Sequence, residues 1–345
     1  MKYTTIPNTD IKVSKICLGT MTFGQQNTES EAHEQLNYAV EKGVNFIDTA
    51  EMYSIPGNKD TQGSTERFIG SWLKDQKREE LIVATKVTGP NEYFNYIREN
   101  LGFSKQVIYE ALDKSLKRLQ TDYVDVYQLH WPERNTNFFG QRNYVYNPDE
   151  KWEDNFKEVI ETLDGLVKEG KIRHYGVSNE SSWGVMRHLN ESKYNNLTRC
   201  KTIQNSYSLL NRTFEINLAE VSMRENVGLL AYSPLGFGML SGKYLNGNLP
   251  DKSRLKLFPT YKRYNSEQSH ILTQKYADLA KELNLSLAQL ALAFVNQQPF
   301  VTSNIIGATT LKQLKENIES IHVELSQETL KEIDRIQELQ PNPAP

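Results

Sequence analysis

Polar and ionisable residues recur at one kind of place in this sequence, the C-terminal edge of short apolar runs. Asp48 ends the second such run, Lys86 the third, His130 the fourth and Ser178-Asn179 the fifth. Gln204 closes the sixth, and Tyr232-Ser233 the seventh. An acid, an ammonium and an imidazole gathered at one mouth can hold, orient and move a proton. Amides and hydroxyls beside them can fix a polar ligand. Taken singly, each residue has a dull explanation. A lone Asp after a strand is often a cap, a lone Lys a solvated charge, a lone His a satisfied core residue. Their shared position at the same end of successive strands is harder to dismiss.

The elements that must bring them together form a repeating unit of strand, loop, helix and strand. Thr28-Glu29-Ser30-Glu31 reads as a capping box, Ala32, Leu36, Ala39 and Val40 follow at helical spacing, and Gly43 sits where a helix stop belongs. Further apolar stripes run through Ile108, Leu112, Leu116 and Leu119, and through Val159, Leu163, Leu166 and Val167. Ser286 to Gln289 is a second capping-box match ahead of Leu290, Ala291 and Phe294. Eight strands are expected near 16–19, 44–48, 81–86, 123–130, 172–178, 202–205, 228–232 and 304–307. Strands alternating with helices imply a parallel sheet with right-handed crossovers, and eight units have the size of a closed (β/α)8 TIM barrel. The pattern alone leaves a doubly wound open sheet open as well. Residues 3–15 read as an extra N-terminal β-hairpin plugging one barrel end, and 1–345 reads as a single barrel domain.

Three stretches are long for loops, 87–104, 131–152 and 243–268, after strands 3, 4 and 7. In a barrel, loops at that end carry the site. Tyr93, Phe94, Trp131, Phe138, Phe139 and Tyr144 within them could wall an apolar pocket or simply anchor the loops.

Composition narrows the classes. Hydrophobic residues make up 38% and charged residues 24%, which suits a folded core. A net charge of −3 gives no basic footprint for nucleic acid, and no apolar run suits a membrane helix. The N-terminus lacks an apolar signal region and two cysteines make no disulfide framework, so the cytoplasm is the expected location.

At the strand-edge residues the chain resembles the aldo-keto reductases. Phe46-Ile47-Asp48-Thr49-Ala50-Glu51-Met52-Tyr53 matches the family's Asp-to-Tyr segment, and Ala84-Thr85-Lys86 its lysine strand. Tyr127-Gln128-Leu129-His130 matches its histidine strand, and Gly176-Val177-Ser178-Asn179 the Ser-Asn pair that holds the nicotinamide carboxamide. Within the family the chain is most similar to Tas-like bacterial reductases, which share Gly19-Thr20-Met21-Thr22-Phe23-Gly24 and Ala50-Glu51-Met52-Tyr53. The resemblance implies NADPH-dependent reduction of small aldehydes or ketones, with Tyr53 as general acid beside Asp48, Lys86 and His130.

The residue types suit that chemistry. A free tyrosine, with a pKa of about 10, is a poor acid near neutrality. A buried Lys86 would lower that value, Asp48 would keep Lys86 charged, and His130 could hydrogen-bond the carbonyl oxygen. The Gly-x-Gly-x-x-Gly fingerprint after a strand is missing, since Gly236-Phe237-Gly238 has its third glycine one place late at Gly242. The resemblance instead implies a cofactor extended across the barrel mouth, near Thr20, Met21 and Asp48. Tyr232 would stack on the nicotinamide, Gln204 would join Ser178 and Asn179 at the carboxamide, and Ser233, Pro234, Leu235, Gly236, Phe237 and Gly238 through Lys243 would wrap the pyrophosphate.

One departure concerns the 2′-phosphate. The family's best-known members carry an Arg for it in the last helix, where this chain has Gln313. Gly307, Thr309, Gln313, Glu316 and Asn317 are more similar to the potassium-channel β-subunit branch. That branch supplies Lys and Arg from the long loop after the seventh strand, here Lys243 and Arg254, and NADP(H) over NAD(H) rests on these two.

Rival readings weigh less. Tyr38 and Lys42 fit a Tyr-x-x-x-Lys dehydrogenase string but lie on the first helix without a glycine-rich turn. The six histidines are isolated, so no metal site is expected. The alternative of another class is a cofactor-sensing regulatory subunit like the channel β-subunits, whose members commonly lack the histidine found here as His130. Monomer and homo-oligomer both stay open.

Overall fold

Alternation within the strands becomes layering inside a barrel. The computed structural model, which describes residues 1–345, closes the eight expected strands into one parallel ring. An antiparallel hairpin, β1 (Tyr3–Thr5) and β2 (Lys12–Ser14), comes first. The ring is β3 (Ile16–Gly19), β4 (Phe46–Asp48), β5 (Ile82–Val87), β6 (Val124–Leu129), β7 (Ile172–Ser178), β8 (Thr202–Ser206), β9 (Gly228–Tyr232) and β10 (Val301–Ile306), with β10 paired back onto β3. The open sheet is thereby excluded.

Helices pack around the ring: α1 (Glu29–Glu41), α2 (Ser64–Leu73), α3 (Lys105–Leu119), α4 (Phe156–Lys168), α5 (Ser182–Asn195), α6 (Leu218–Glu225), a short α7 (Arg254–Leu257), α8 (Glu267–Glu282), α9 (Leu287–Asn296), α10 (Leu311–Glu319) and α11 (Gln327–Leu339). Both capping boxes form, Thr28 with Glu31 and Ser286 with Gln289. The expected stripes are the faces that bury: Ala32, Leu36 and Ala39 on α1, and Val159, Leu163 and Leu166 on α4. β5, β6 and β10 are buried at every residue, as strands held between barrel core and helices must be.

Inside the ring, Cys17, Phe46, Ile82, Ala84, Val126, Leu230 and Ile305 form a separate apolar cluster. Ile6, Ile11 and Val13 of the hairpin segment belong to the same cluster, so the hairpin closes the N-terminal end as a plug. Two residues further along, the same inward faces turn polar. Phe46 gives way to Asp48, Ala84 to Lys86, Val126 to Gln128 and Leu230 to Tyr232. Period two makes a dry base carry a polar floor.

Several boundaries differ from the sequence reading. Lys86 is the penultimate residue of β5, His130 lies one residue past β6, and β8 runs on past Gln204 to Ser206. The last strand begins at Val301 and ends before Gly307, because Val301 to Asn304 are buried and pair with β9 and β3. The stretch 243–268 is no bare loop, for it contains α7 and is separated from β9 by a 3-10 turn, Gly236–Ser241. Gln313 is not in the last helix: it belongs to α10, and α11 follows, with Thr329, Ile333 and Ile336 buried. No helix is long and apolar enough to cross a membrane.

Candidate active site

The polar floor is a hydrogen-bonded unit. Lys86 Nζ donates to Asp48 Oδ2 at 2.6 Å and to the Thr49 carbonyl at 2.8 Å. Lys86 is fully buried and Asp48 nearly so. The second carboxylate oxygen, Oδ1, accepts from Gln204 Nε2 at 2.8 Å and Gln128 Nε2 at 3.2 Å. Gln204 also donates to Gln128 Oε1 at 3.1 Å. Both carboxylate oxygens of Asp48 therefore accept from buried donors. A buried ion pair persists only with such support.

Tyr53 stands over this pair, with Lys86 Nζ 5.0 Å from its ring centroid. His130 is its neighbour on the other side, ring centroids 5.8 Å apart. Burial pushes the Tyr53 phenol above its ordinary pKa, while the Lys86 charge pulls it down. The expected action of Lys86 is present, but desolvation is larger, so the net shift is upward rather than down. Burial and then Lys86 hold the His130 imidazole well below its usual 6.5, which keeps it neutral.

Above the floor lies a cavity of about 890 Å³. It is lined by Thr20, Met21, Asp48, Tyr53, His130, Ser178, Asn179, Gln204 and Tyr232 at the barrel end. It continues past Ser233, Pro234, Leu235, Phe237, Gly238, Lys243 and Arg254 to Gly307, Thr309, Gln313, Glu316 and Asn317. Two of the residues singled out do not line it. Lys86 lies beneath the floor, because its ammonium points down to Asp48 and Thr49. Gly236 is buried behind the wall, where an added Cβ would sit 3.1 Å from the Tyr264 ring. Of the loop aromatics, Phe94, Trp131 and Phe139 face the cavity, whereas Tyr93, Phe138 and Tyr144 do not. Tyr93 instead ties its loop down through a 2.7 Å bond to the Gly57 carbonyl.

The two ends of the cavity differ in chemistry. Beside His130, Asn179 Nδ2 donates to the His130 carbonyl at 2.9 Å, and Tyr232 OH donates to Asn179 Oδ1 at 2.6 Å. At the far end, Lys243 and Arg254 have no hydrogen-bonding or carboxylate partner, and burial lowers both pKa values. Arg254 lies over the Phe237 ring at 4.8 Å. The Ser253 hydroxyl next to it is buried without a partner. Gly238 has φ +94°, and a Cβ there would come 2.6 Å from Lys243 Cε, so the lysine crosses bare backbone. Free cations and a glycine cradle suit a phosphate. Gln313 Oε1 accepts from Thr309 N and Oγ1, both at 3.0 Å, and its amide brings no charge to the cavity.

Sequence reasoning missed several participants. Gln128 lies two residues before His130 and shares its strand face, a period-two signal that could have found it. Glu51, two residues before Tyr53, accepts from Thr88 N at 2.6 Å and from both terminal nitrogens of Arg98. That buried pair pins the loop after β5 to the segment carrying Tyr53. Only the fold brings Arg98 there.

Comparison with known proteins follows the same lines. Residues 15–338 match the Aldo/keto reductase family. The chain is 51% identical over 352 aligned positions to Protein tas of Escherichia coli (strain K12), with both chains fully covered. It is 34% identical over 343 positions to Uncharacterized oxidoreductase YrpG of Bacillus subtilis (strain 168), covering 97% of this chain and 96% of that one. An Aldo-keto reductase of Babesia bovis is 36% identical over 251 positions, covering 69% of this chain and 88% of its own.

Proposed function

This chain belongs to the aldo/keto reductase family of oxidoreductases, and from that premise we propose that it reduces aldehydes and ketones to alcohols with NADPH, Tyr53 giving the proton. The observation that carries the reading is the buried Asp48–Lys86 pair beside Tyr53 at the floor of the 890 Å³ cavity.

When bound, NADPH supplies the hydride for the carbonyl carbon. The protein's own task is then the oxygen, which must gain a proton as its charge develops. With its pKa pushed up by burial, Tyr53 holds its proton at neutral pH and so is loaded as an acid. The Lys86 charge stabilises the phenolate as that proton leaves, and Asp48 keeps Lys86 charged and aimed. A neutral His130 has one N–H to offer the same oxygen, orienting it beside Tyr53.

The residues present fit the cofactor. Ser178, Asn179 and Gln204 would hold the carboxamide, Tyr232 would face the nicotinamide ring, and Ser233 to Lys243 would follow the pyrophosphate. The preference for the 2′-phosphate rests on Lys243 and Arg254, whose charges are otherwise unmatched. Gln313 is uncharged, so the opposing charge comes from the loop.

Cofactor oxidation by the purified chain, measured across a panel of aldehydes and ketones, tests this function. Turnover supports it. Tight NADPH binding with no turnover on any carbonyl compound would favour the cofactor-sensing regulatory subunit.

A further inference from the structure

We propose that Glu51, paired with Arg98, is a positioning residue of the reaction, which holds the segment carrying Tyr53 in register with Lys86 and His130. This rests on the carbonyl-reductase reading and deepens it.

Three members of the site are placed by the barrel itself. Asp48 ends β4, Lys86 lies in β5, and His130 follows β6 with its amide donating to the Val87 carbonyl at 3.0 Å. Tyr53 stands instead in the loop beyond β4, and its chain must be fastened by other means. Downstream, the Gly63 amide donates to the Tyr53 carbonyl at 2.7 Å. Upstream the hold is Glu51, which acts from both sides of Val87. Its amide donates to the Lys86 carbonyl at 3.2 Å, and its carboxylate accepts from the Thr88 amide at 2.6 Å. Consecutive peptide units at the end of β5 thus set Lys86, His130 and the Tyr53 segment relative to one another.

The carboxylate that makes this contact belongs to a residue 1% exposed, and Arg98, 8% exposed, supplies its counter-charge through both terminal nitrogens. A buried ion pair is weak evidence for stability, since apolar residues of similar volume often serve as well. The guanidinium fork does fix direction, because two parallel N–H bonds hold the plane of the carboxylate. Neither side chain lines the cavity, so the pair acts through what it holds.

The same pair shapes the wall beside the site. Thr88 and Arg98 bracket the stretch that contains Asn91 and Phe94, both facing the cavity. With the two ends of that stretch on one carboxylate, Phe94 packs against Trp131, ring centroids 5.8 Å apart, and Trp131 against His130 at 5.0 Å. Glu51 therefore reaches the proton donor through the main chain and His130 through the loop it closes.

Glu51→Gln combined with Arg98→Met removes both charges together and keeps an oxygen for the Thr88 amide. In the full chain loaded with NADPH, single-turnover reduction of an aldehyde should fall about 10–100-fold, the effect of a displacement of about 1 Å. NADPH affinity should change by less than about twofold. Arg98→Lys, milder for folding, keeps a charge without the fork and should show a smaller loss of the same kind. Near the other end of the barrel the buried Asp125 is built alike, accepting from Val83 N at 2.9 Å and Arg78 Nη2 at 2.8 Å. Asp125→Asn with Arg78→Met should leave reduction within about twofold of native, whatever it does to stability. A second readout is independent of turnover. Amide hydrogen exchange, followed by mass spectrometry in Glu51→Gln/Arg98→Met, should rise about tenfold or more across 49–55 and 88–98, with β7 to β9 unaltered. Reduction at the native rate in that variant overturns the inference, as does NADPH affinity that falls in step with reduction, or unchanged exchange in both stretches. If the native chain turns over no carbonyl compound while exchange still rises in those stretches alone, the positioning role stands and the reductase reading fails.

Discussion

Replacing Asp48 by Asn isolates the ion pair on which the site depends. The substitution preserves shape and can preserve an acceptor for Gln128 and Gln204, but it removes the charge 2.6 Å from Lys86. An ammonium left without its partner in the barrel interior should cost about 3–5 kcal/mol. In the native protein burial opposes the charged amine, but the Asp48 charge and hydrogen bond outweigh it, so Lys86 titrates above its ordinary 10.5. A group with a raised folded pKa contributes stability that is complete below about pH 10.5 and is lost as pH rises through the folded value. In Asp48→Asn burial loses its main opposition, and the folded pKa is expected to fall below the unfolded one. The folded state then binds fewer protons than the unfolded state, so stability rises with pH, by up to about 1.4 kcal/mol per unit. Urea unfolding at about pH 7 and pH 9 reads both effects. The account requires a large loss at the lower pH that shrinks at the higher one. A loss below about 1 kcal/mol at neutral pH, or equal losses at both, would refute the reasoning.

Three further outcomes are expected. Lys243→Ala combined with Arg254→Ala should weaken NADPH binding by about 10–100-fold, the worth of one or two charge-assisted hydrogen bonds, and NADH far less. Fluorescence titration checks this, and equal losses for the two cofactors would remove the 2′-phosphate assignment. Gly238→Ala, at φ +94° with Lys243 Cε 2.6 Å from the new Cβ, should cost about 1–2 kcal/mol in thermal unfolding and also weaken NADPH; unchanged stability would show that the backbone relaxes. Because burial and Lys86 keep His130 neutral, kcat/KM should show no inflection near pH 6.5. An acid limb centred there, abolished in His130→Gln, would contradict a neutral imidazole.

The strands were readable because each carries an apolar run ending on a polar residue, and Thr28 and Ser286 announced their helices through complete capping boxes. α5 was harder, since its buried face mixes Val185 and Leu189 with His188 and Ser192. The edge residues Asp48, His130, Asn179 and Tyr232 were legible as a set for the same reason as the strands. Depth was not. Whether Lys86 faces the cavity or lies under it depends on Asp48 and Thr49 pulling the ammonium down, a contact between separate strand ends. Balance was not legible either, for the Tyr53 pKa is a contest between burial and Lys86 that only the packed floor decides.

The central claim is that Tyr53 delivers the proton while the cofactor site is built from other residues. Tyr53→Phe removes one oxygen and leaves the Asp48–Lys86 pair beneath it in place. Single-turnover reduction of an aldehyde by the NADPH-loaded variant, with NADPH affinity measured on the same sample, separates the two roles. The account predicts that reduction falls by about 10²–10⁴-fold, the usual contribution of a positioned general acid, with NADPH affinity nearly unaltered. Reduction at the native rate in Tyr53→Phe would contradict it.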